Sequence, residues 1–232
     1  MSEQSHFLIT GTRSGLGRLL AEDLLDKNNI VFGCSRNSSD LVHKNYFHYE
    51  TDISDEKSVK ALFRSIRKDF GRIDCVINNA GLASMNYAAL TSSNEARKIF
   101  DTNFFGTFFV SKEAFKLMKR SQSGTIINIS SIHTKFNITG TSIYGASKAA
   151  VEQFTNVFAS ETSESGITVN LLLLSVVENT GMAEALNSEI VEKILSKSKT
   201  GRLINVGEIT EMILHLNSQE GRSISGQAFQ IG

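Results

Sequence analysis

The sequence predicts one α/β domain built on a doubly wound, seven-stranded parallel sheet with helices on both faces. Three observations predict it. Seven short apolar runs of strand length alternate with stretches whose apolar residues recur at helical spacing. The first run empties directly into a glycine-rich turn that opens a helix. No composition break or low-complexity linker interrupts residues 1–232, so a single domain suffices, although a chain of this length has room for two. In such a sheet the ligand crevice lies beyond the carboxyl ends of the strands.

In chain order, His6 to Thr10 is a buried strand, followed by the turn Gly11-Thr12-Arg13-Ser14-Gly15-Leu16-Gly17. Leu16, Leu19, Leu20, Leu24 and Leu25 then mark a helix. Glycines at this turn permit tight backbone geometry, and the helix N-terminus offers free N–H groups to a pyrophosphate. A purely structural strand-to-helix turn is the alternative. Ile30 to Cys34 is the second strand, and Ser35-Arg36-Asn37 follows at its carboxyl end. An acidic residue there would suit ribose hydroxyls, whereas arginine can pair with a 2′-phosphate. Arg36 and Arg13 therefore favour NADP(H) over NAD(H), unless Arg36 is only a solvated loop charge.

Tyr46 to Glu50 is a third strand leading to Asp52-Ile53 and a helix over residues 55–70. Asp52 can reach an adenine amino group, while Ser54 and Asp55 are candidate helix caps. Ile73 to Ile77 is the fourth strand, ending in Asn78-Asn79-Ala80-Gly81, where small residues let the backbone pass close to a cofactor. Two helices are expected over 93–101 and 103–120, then a fifth strand over 125–129 emptying into Ser130-Ser131. A helix carries Tyr144 and Lys148 and runs to about Thr162. A sixth strand covers 167–173, a loop and amphipathic stretch 174–200, a helix 208–216, and a last strand 227–231.

Tyr144 and Lys148, four residues apart on that helix, project from one face. A tyrosine has a pKa of about 10, and a neighbouring ammonium favours the phenolate, which makes the pair a candidate proton donor to an oxygen gaining charge. The spacing alone equally describes a half-buried tyrosine beside a snorkelling lysine.

Composition narrows the partners. With 24 basic and 24 acidic residues the chain carries no net field to draw nucleic acid or an anionic membrane. The start shows no basic segment followed by a long apolar run, and no apolar stretch approaches the ~20 residues that span a bilayer. A cytoplasmic setting is expected. Cys34 and Cys75 stand alone within strands and are read as buried free thiols; the five histidines show no zinc-ligand spacing. Proline is absent, although average usage predicts roughly a dozen, so any turn normally shaped by proline must be built differently.

Taken together, these motifs resemble the classical short-chain dehydrogenase/reductase family from His6 to Gly232. Thr10 to Gly17 matches its Thr-Gly-x-x-x-Gly-x-Gly, and Asn78 to Gly81 its Asn-Asn-Ala-Gly. Tyr144 and Lys148 match its Tyr-x-x-x-Lys, Ser131 its catalytic serine thirteen residues before the tyrosine, and Asn103 its active-site asparagine. The resemblance implies a Rossmann-type fold and a hydride transfer between nicotinamide and a carbonyl. Tyr144 would then donate the proton and Ser131 orient the oxygen. Lys148 would lower the Tyr144 pKa and hold the ribose, and Asn103 would anchor a proton-exchanging water chain. It further implies that Gly11, Arg13, Ser14, Gly15, Leu16 and Gly17 form the pyrophosphate and adenosine turn and Ser35, Arg36 and Asn37 hold the 2′-phosphate. Asp52 and Ile53 would meet the adenine, Asn79, Ala80 and Gly81 the ribose, and Val177 the carboxamide.

Two departures stand out. Where the family has a Pro-Gly turn and a threonine, this chain has Leu174-Ser175-Val176-Val177-Glu178-Asn179-Thr180, with Asn179 or Thr180 as the replacement. The serine-to-tyrosine segment, small-residued in the family, carries His133, Lys135 and Phe136, expected to face substrate or a neighbouring subunit. His133 is read as a loop residue rather than a second acid.

The C-terminal half, with Gly201-Arg202-Leu203 and Ser225-Gly226-Gln227, looks most like the 3-oxoacyl-acyl-carrier-protein reductase branch. This implies a carbonyl substrate borne on a carrier protein or CoA, and a homotetramer or homodimer packed through Phe100, Phe104, Phe105, Phe108, Phe109 and Phe115. Residues 181–200 are expected to lid the pocket. Competing readings are a reductase of another small ketone and a non-catalytic dinucleotide-binding protein. A serine hydrolase lacks its Gly-x-Ser-x-Gly elbow.

Overall fold

In the computed structural model, which describes residues 4–136, 138–181, 188–196 and 198–232, seven parallel strands form one sheet. They are β1 (His6–Thr10), β2 (Ile30–Ser35), β3 (Tyr46–Glu50), β4 (Cys75–Asn78), β5 (Gly124–Ser131), β6 (Ile167–Leu174) and β7 (Ala228–Ile231). Their spatial order is β3-β2-β1-β4-β5-β6-β7. The order reverses between β1 and β4, and there the loops after the strands part and leave a crevice.

Alternation along the strands builds two cores. Phe7 and Ile9 of β1 join the cluster packed with Leu20 and Leu24 of α1 (Gly15–Asp26) and Ile213 and Leu216 of the C-terminal helix Val206–Asn217. Leu8, one residue out of phase, joins the opposite cluster. There it meets Leu62 and Phe63 of α2 (Glu56–Asp69), Val110 and Ala114 of α4 (Thr107–Met118) and Ala159 of the long helix Ser142–Thr162. Both faces are covered, which is why the central strands read as unbroken apolar runs rather than alternating ones.

The helices expected over 93–101 and 103–120 are one continuous run. α3 (Ser93–Phe100) passes into a π-helical turn at Asp101–Gly106 and on into α4. The turn widens the backbone at Asn103, which is fully buried. Gly106 lets this run approach the loop after β3: a Cβ there would lie 2.6 Å from Ile53 Cδ1. Two more helices follow, the short α5 (His133–Phe136) and α6, the long Ser142–Thr162 helix; α5 was not expected. Helices α7 (Ser188–Leu195) and α8 (Val206–Asn217) complete the chain. Of the expected lid over 181–200, residues 182–187 and 197 lie outside the described residues.

Candidate active site

A cavity of about 560 Å³ opens at the carboxyl ends of the strands. All the candidate catalytic and cofactor-binding residues line it except Gly17 and Asn103. Both absentees act from behind. A Cβ on Gly17 would lie 2.3 Å from the Gly11 carbonyl oxygen and 2.6 Å from Asn79 Nδ2, so this glycine seats α1 against the turn. Asn103 clamps the loop after β4: its Oδ1 accepts from Leu82 N at 2.7 Å, and its Nδ2 donates to Leu82 O and Ser147 Oγ, both at 2.9 Å.

The glycine turn is stapled to the β4 loop by Thr10 and Asn79. Asn79 N and Ala80 N donate to Thr10 Oγ1 at 3.0 and 2.9 Å, and Asn79 Nδ2 donates to Thr10 O at 2.9 Å. Gly11 adopts φ +79°, which a side chain would strain, and approaches Ala80 closely. Gly15, at φ +58°, has open space above it. The Ser14 side chain makes no capping bond, so the first amides of α1 remain for a ligand. Across the cavity, at the end of β5, Ser130 Oγ is buried without a partner among the described residues. An anionic, polar-edged group such as a dinucleotide fits this donor set.

On the adenosine side the Asn37 amide, oriented to satisfy both neighbours, accepts from Arg13 Nη1 at 3.0 Å and donates to Arg36 O at 3.3 Å. The Arg13 guanidinium thus reaches across to the loop that carries Arg36, and both residues line the cavity. Asp52 lines the cavity, but its Oδ1 already accepts from Ser54 N and Ser54 Oγ at 3.0 and 2.7 Å. The cap of α2 is Asp55, which accepts from Lys57 N and Ser58 N. Cys34 also lines the cavity; burial pushes its thiol up to about 12, leaving it protonated and inert, and Cys75 is likewise buried and raised.

Ser131, Tyr144 and Lys148 converge on the opposite half of the wall, each buried. Lys148 Nζ donates to the Ile129 carbonyl at 2.8 Å, and burial lowers the ammonium to about 8. Tyr144 lies above its ordinary value because burial disfavours the phenolate, and a hydrogen bond with Ser131 offsets only part of this. Burial, rather than the Lys148 ammonium expected from the sequence to lower it, sets the direction of the tyrosine's shift here.

Of the three large residues after Ser131, only His133 lines the cavity. Its Nδ1 is 2.7 Å from Ser131 Oγ and its ring meets Tyr144 edge-on at 5.6 Å. Lys135 pairs outward with Glu152 at 2.5 Å, and Phe136 packs beside Ile132, Val176 and Ile194. At the proline-free turn, Asn179 takes φ +57° and Thr180 is buried on the cavity wall, donating to Val177 O at 2.8 Å. Thr180 therefore holds the inward position. Sequence reasoning also missed a polar ladder beneath the site, in which Asn78 Nδ2 donates to Ser111 Oγ and Asn128 Oδ1, and Asn128 Nδ2 donates to Thr155 Oγ1. Only the alignment of Asn78 and Asn128 in adjacent strands brings these together.

The chain is similar to known proteins in sequence and in fold. The model of the short chain dehydrogenase family matches residues 5–191. The 3-oxoacyl-[acyl-carrier-protein] reductases FabG of Salmonella typhimurium and Escherichia coli are each 30% identical over 97% of this chain and 94% of their own length. The solved structure of ElxO with NADP bound is 28% identical, with TM-score 0.89 over 99% of this chain and 97% of that one. A tyrosine-to-phenylalanine variant of ElxO with NADPH bound also has TM-score 0.89, at 27% identity over 98% of this chain and 97% of that one.

Proposed function

The chain belongs to the short-chain dehydrogenase family, and from that premise we propose that it is an NADP(H)-dependent ketoreductase of the 3-oxoacyl-thioester type. Its reaction is oxidoreduction between a secondary alcohol and a carbonyl. The observation that carries this reading is the convergence of Ser131, Tyr144 and Lys148 on a cavity whose other half holds the open start of α1. The NADP-bound relative and the placing of both Arg13 and Arg36 on the cavity lining support NADP(H) over NAD(H).

Bound nicotinamide supplies the hydride. The chain does the rest. Negative charge gathers on the carbonyl oxygen, Tyr144 donates its phenolic proton to that oxygen, and Ser131 hydrogen-bonds and orients it. The raised Tyr144 value keeps the proton in place until the oxygen becomes basic. Lys148 holds a ribose hydroxyl and supports proton return to Tyr144. Asn103 flanks that route: a Cβ on Gly81 would lie 3.3 Å from Asn103 Oδ1 and 3.5 Å from Lys148 Nζ. Val177 offers backbone to the carboxamide.

The substrate is a small carbonyl compound, carried on an acyl carrier protein or CoA in the thioester case. We place the enzyme in the cytoplasm as a homotetramer or homodimer. Among the described residues no helix is long and apolar enough to cross a membrane.

The test is NADPH oxidation against a panel of 3-oxoacyl thioesters, sugars and cyclic ketones. Thioester turnover should lead the panel, and Tyr144→Phe should lower it by roughly 10²–10⁴-fold. An unchanged rate in that variant refutes the mechanism; cofactor binding without turnover of any ketone makes the protein a non-catalytic binder. Tighter NADH than NADPH binding refutes the cofactor assignment.

A further inference from the structure

A chain of side chains runs beneath the adenosine half of the cavity and joins its two walls. Gly33 of β2 stands opposite His48 of β3 in the sheet register. Because Gly33 has no side chain, the Tyr46 phenol lies across it to reach the glycine turn; a Cβ there would be 2.2 Å from Tyr46 Oη and 2.5 Å from Thr12 Oγ1. Tyr46 Oη is 2.9 Å from Thr12 Oγ1 and 2.9 Å from His48 Nδ1. His48 Nε2 lies 3.0 Å from the Asn37 carbonyl oxygen and 3.1 Å from Ser35 Oγ. Ser35 Oγ donates to the same Asn37 oxygen at 2.6 Å.

The chemistry assigns the protons. The Asn37 carbonyl can only accept, so Nε2 of His48 carries the hydrogen. In the neutral imidazole Nδ1 is then the acceptor facing the Tyr46 hydroxyl, which is shared between it and Thr12 Oγ1, to which Tyr46 donates. Thr12 adjoins Arg13, while Ser35 and Asn37 flank Arg36, so the relay ties together the two loops that Arg13 Nη1 and the Asn37 side chain also join.

Ser35 explains what the relay is for. In this structure its hydroxyl is directed at Asn37 O. To donate to a phosphate on the ribose it must rotate away, and without another donor the Asn37 carbonyl would lose its partner. His48 Nε2–H already serves that carbonyl and leaves the Ser35 hydroxyl free to turn. NADH, lacking the phosphate, makes no such demand.

We propose that His48 is a positioning residue for NADP(H) selectivity, holding the Ser35–Asn37 loop against the Thr12–Arg13 turn so that both close on the 2′-phosphate. The inference rests on the NADP(H) reading above.

The experiment compares KM and kcat with NADPH and NADH for wild type, His48→Phe, His48→Gln and Tyr46→Phe. His48→Phe keeps a ring and removes both nitrogens, and its KM for NADPH should rise roughly tenfold relative to that for NADH, with kcat within about twofold. His48→Gln keeps a donor at the Nε2 position and should recover most of the selectivity. Tyr46→Phe removes one oxygen from the same relay, should shift the ratio in the same direction, and carries the test if the His48→Phe chain does not fold. KM values that rise equally for both cofactors, or a ratio that does not move in either variant, overturn the inference while leaving the NADP(H) assignment intact. Wild type preferring NADH overturns that assignment itself, and the inference with it.

Discussion

Ser131 Oγ stands 2.7 Å from Nδ1 of His133, and the imidazole meets the Tyr144 ring edge-on at 5.6 Å between centroids. The residue read from sequence as a loop histidine thus fixes the rotor of the serine expected to orient the substrate oxygen. Burial lowers its pKa below the ordinary 6.5, so it is neutral at neutral pH. The sign follows: between that lowered value and 6.5 the unfolded chain binds more protons, so stability falls as pH drops through this window. His133→Ala should reduce kcat by roughly tenfold, the weight of one oriented hydrogen bond, with a smaller change in KM. His133→Asn, which retains a polar atom near the Nδ1 position, should recover much of the rate and lose the acid limb of the pH profile. Equal rates for wild type and alanine variant would reduce His133 to packing.

Lys148 carries an opposite tension between stability and function. Its ammonium is buried and lowered from 10.5 to about 8 by desolvation. Below about 8 the folded protein holds a charge that the unfolded chain would solvate more cheaply; between 8 and 10.5 the unfolded chain binds more protons, so stability rises with pH. The burden at neutral pH is on the order of 3 kcal/mol, from ~1.4 kcal/mol per pKa unit, less the hydrogen bond to Ile129. Lys148→Met, similar in length and uncharged, should therefore stabilise the cofactor-free protein by about 1–2 kcal/mol near neutral pH while abolishing turnover. Denaturant midpoints at neutral and alkaline pH check this. A variant less stable than wild type at neutral pH, or a difference that fails to shrink at alkaline pH, contradicts it.

What the sequence revealed and what it hid divide along a physical line. Strands β1, β2, β4, β5 and β6 were legible because a parallel strand buried on both faces is a continuous apolar run, and Ser131, Tyr144 and Lys148 because their spacing along the chain is itself the signal. The break expected between 93–101 and 103–120 is absent because the shift in apolar spacing across Asp101–Gly106, which in sequence looks like one helix ending and another starting, is taken up by a π-helical turn. The Tyr144 pKa was misjudged because burial is a property of the packed site. His48 was invisible for a different reason: its partners lie across β2 and in the glycine turn, and only sheet register brings Gly33, Tyr46 and Thr12 to it. The period-two placement of Tyr46 and His48 on one face of β3 was the available hint.

Asn179 shows how a proline-free chain turns toward Thr180. It occupies the left-handed region at φ +57°, exposed, and asparagine tolerates this conformation better than other non-glycine residues. Asn179→Gly should leave stability and cofactor KM within experimental scatter. Asn179→Val, a β-branched residue forced to the same φ, should cost roughly 1–2 kcal/mol and raise the KM for cofactor, because Thr180 and Val177 move with the turn. Thermal unfolding and steady-state kinetics measure both. A valine variant as active and as stable as wild type would show that this turn does not hold the cavity wall.

The phenylalanines of α4 and α6 point to the assembly. None of Phe100, Phe104, Phe105, Phe108, Phe109 and Phe115 is fully buried. Ring contacts link Phe105 to Phe109, Phe108 to Phe154 and Phe154 to Phe158 at 6.2, 5.9 and 5.0 Å, and the stripe ends at Val157, 47% exposed. A contiguous apolar face of this kind on two adjacent helices suits a second copy of the same face related by a twofold axis. Val157 contributes little to its own fold at that exposure, so Val157→Arg should leave the circular dichroism spectrum and monomer stability within about 0.5 kcal/mol. Placed against its own symmetry mate, however, the arginine would set like charges face to face in an apolar contact and lower the mass measured by light scattering at micromolar concentration. An oligomer of unchanged mass in the arginine variant would move the interface elsewhere, and a monomeric wild type would remove the oligomer altogether.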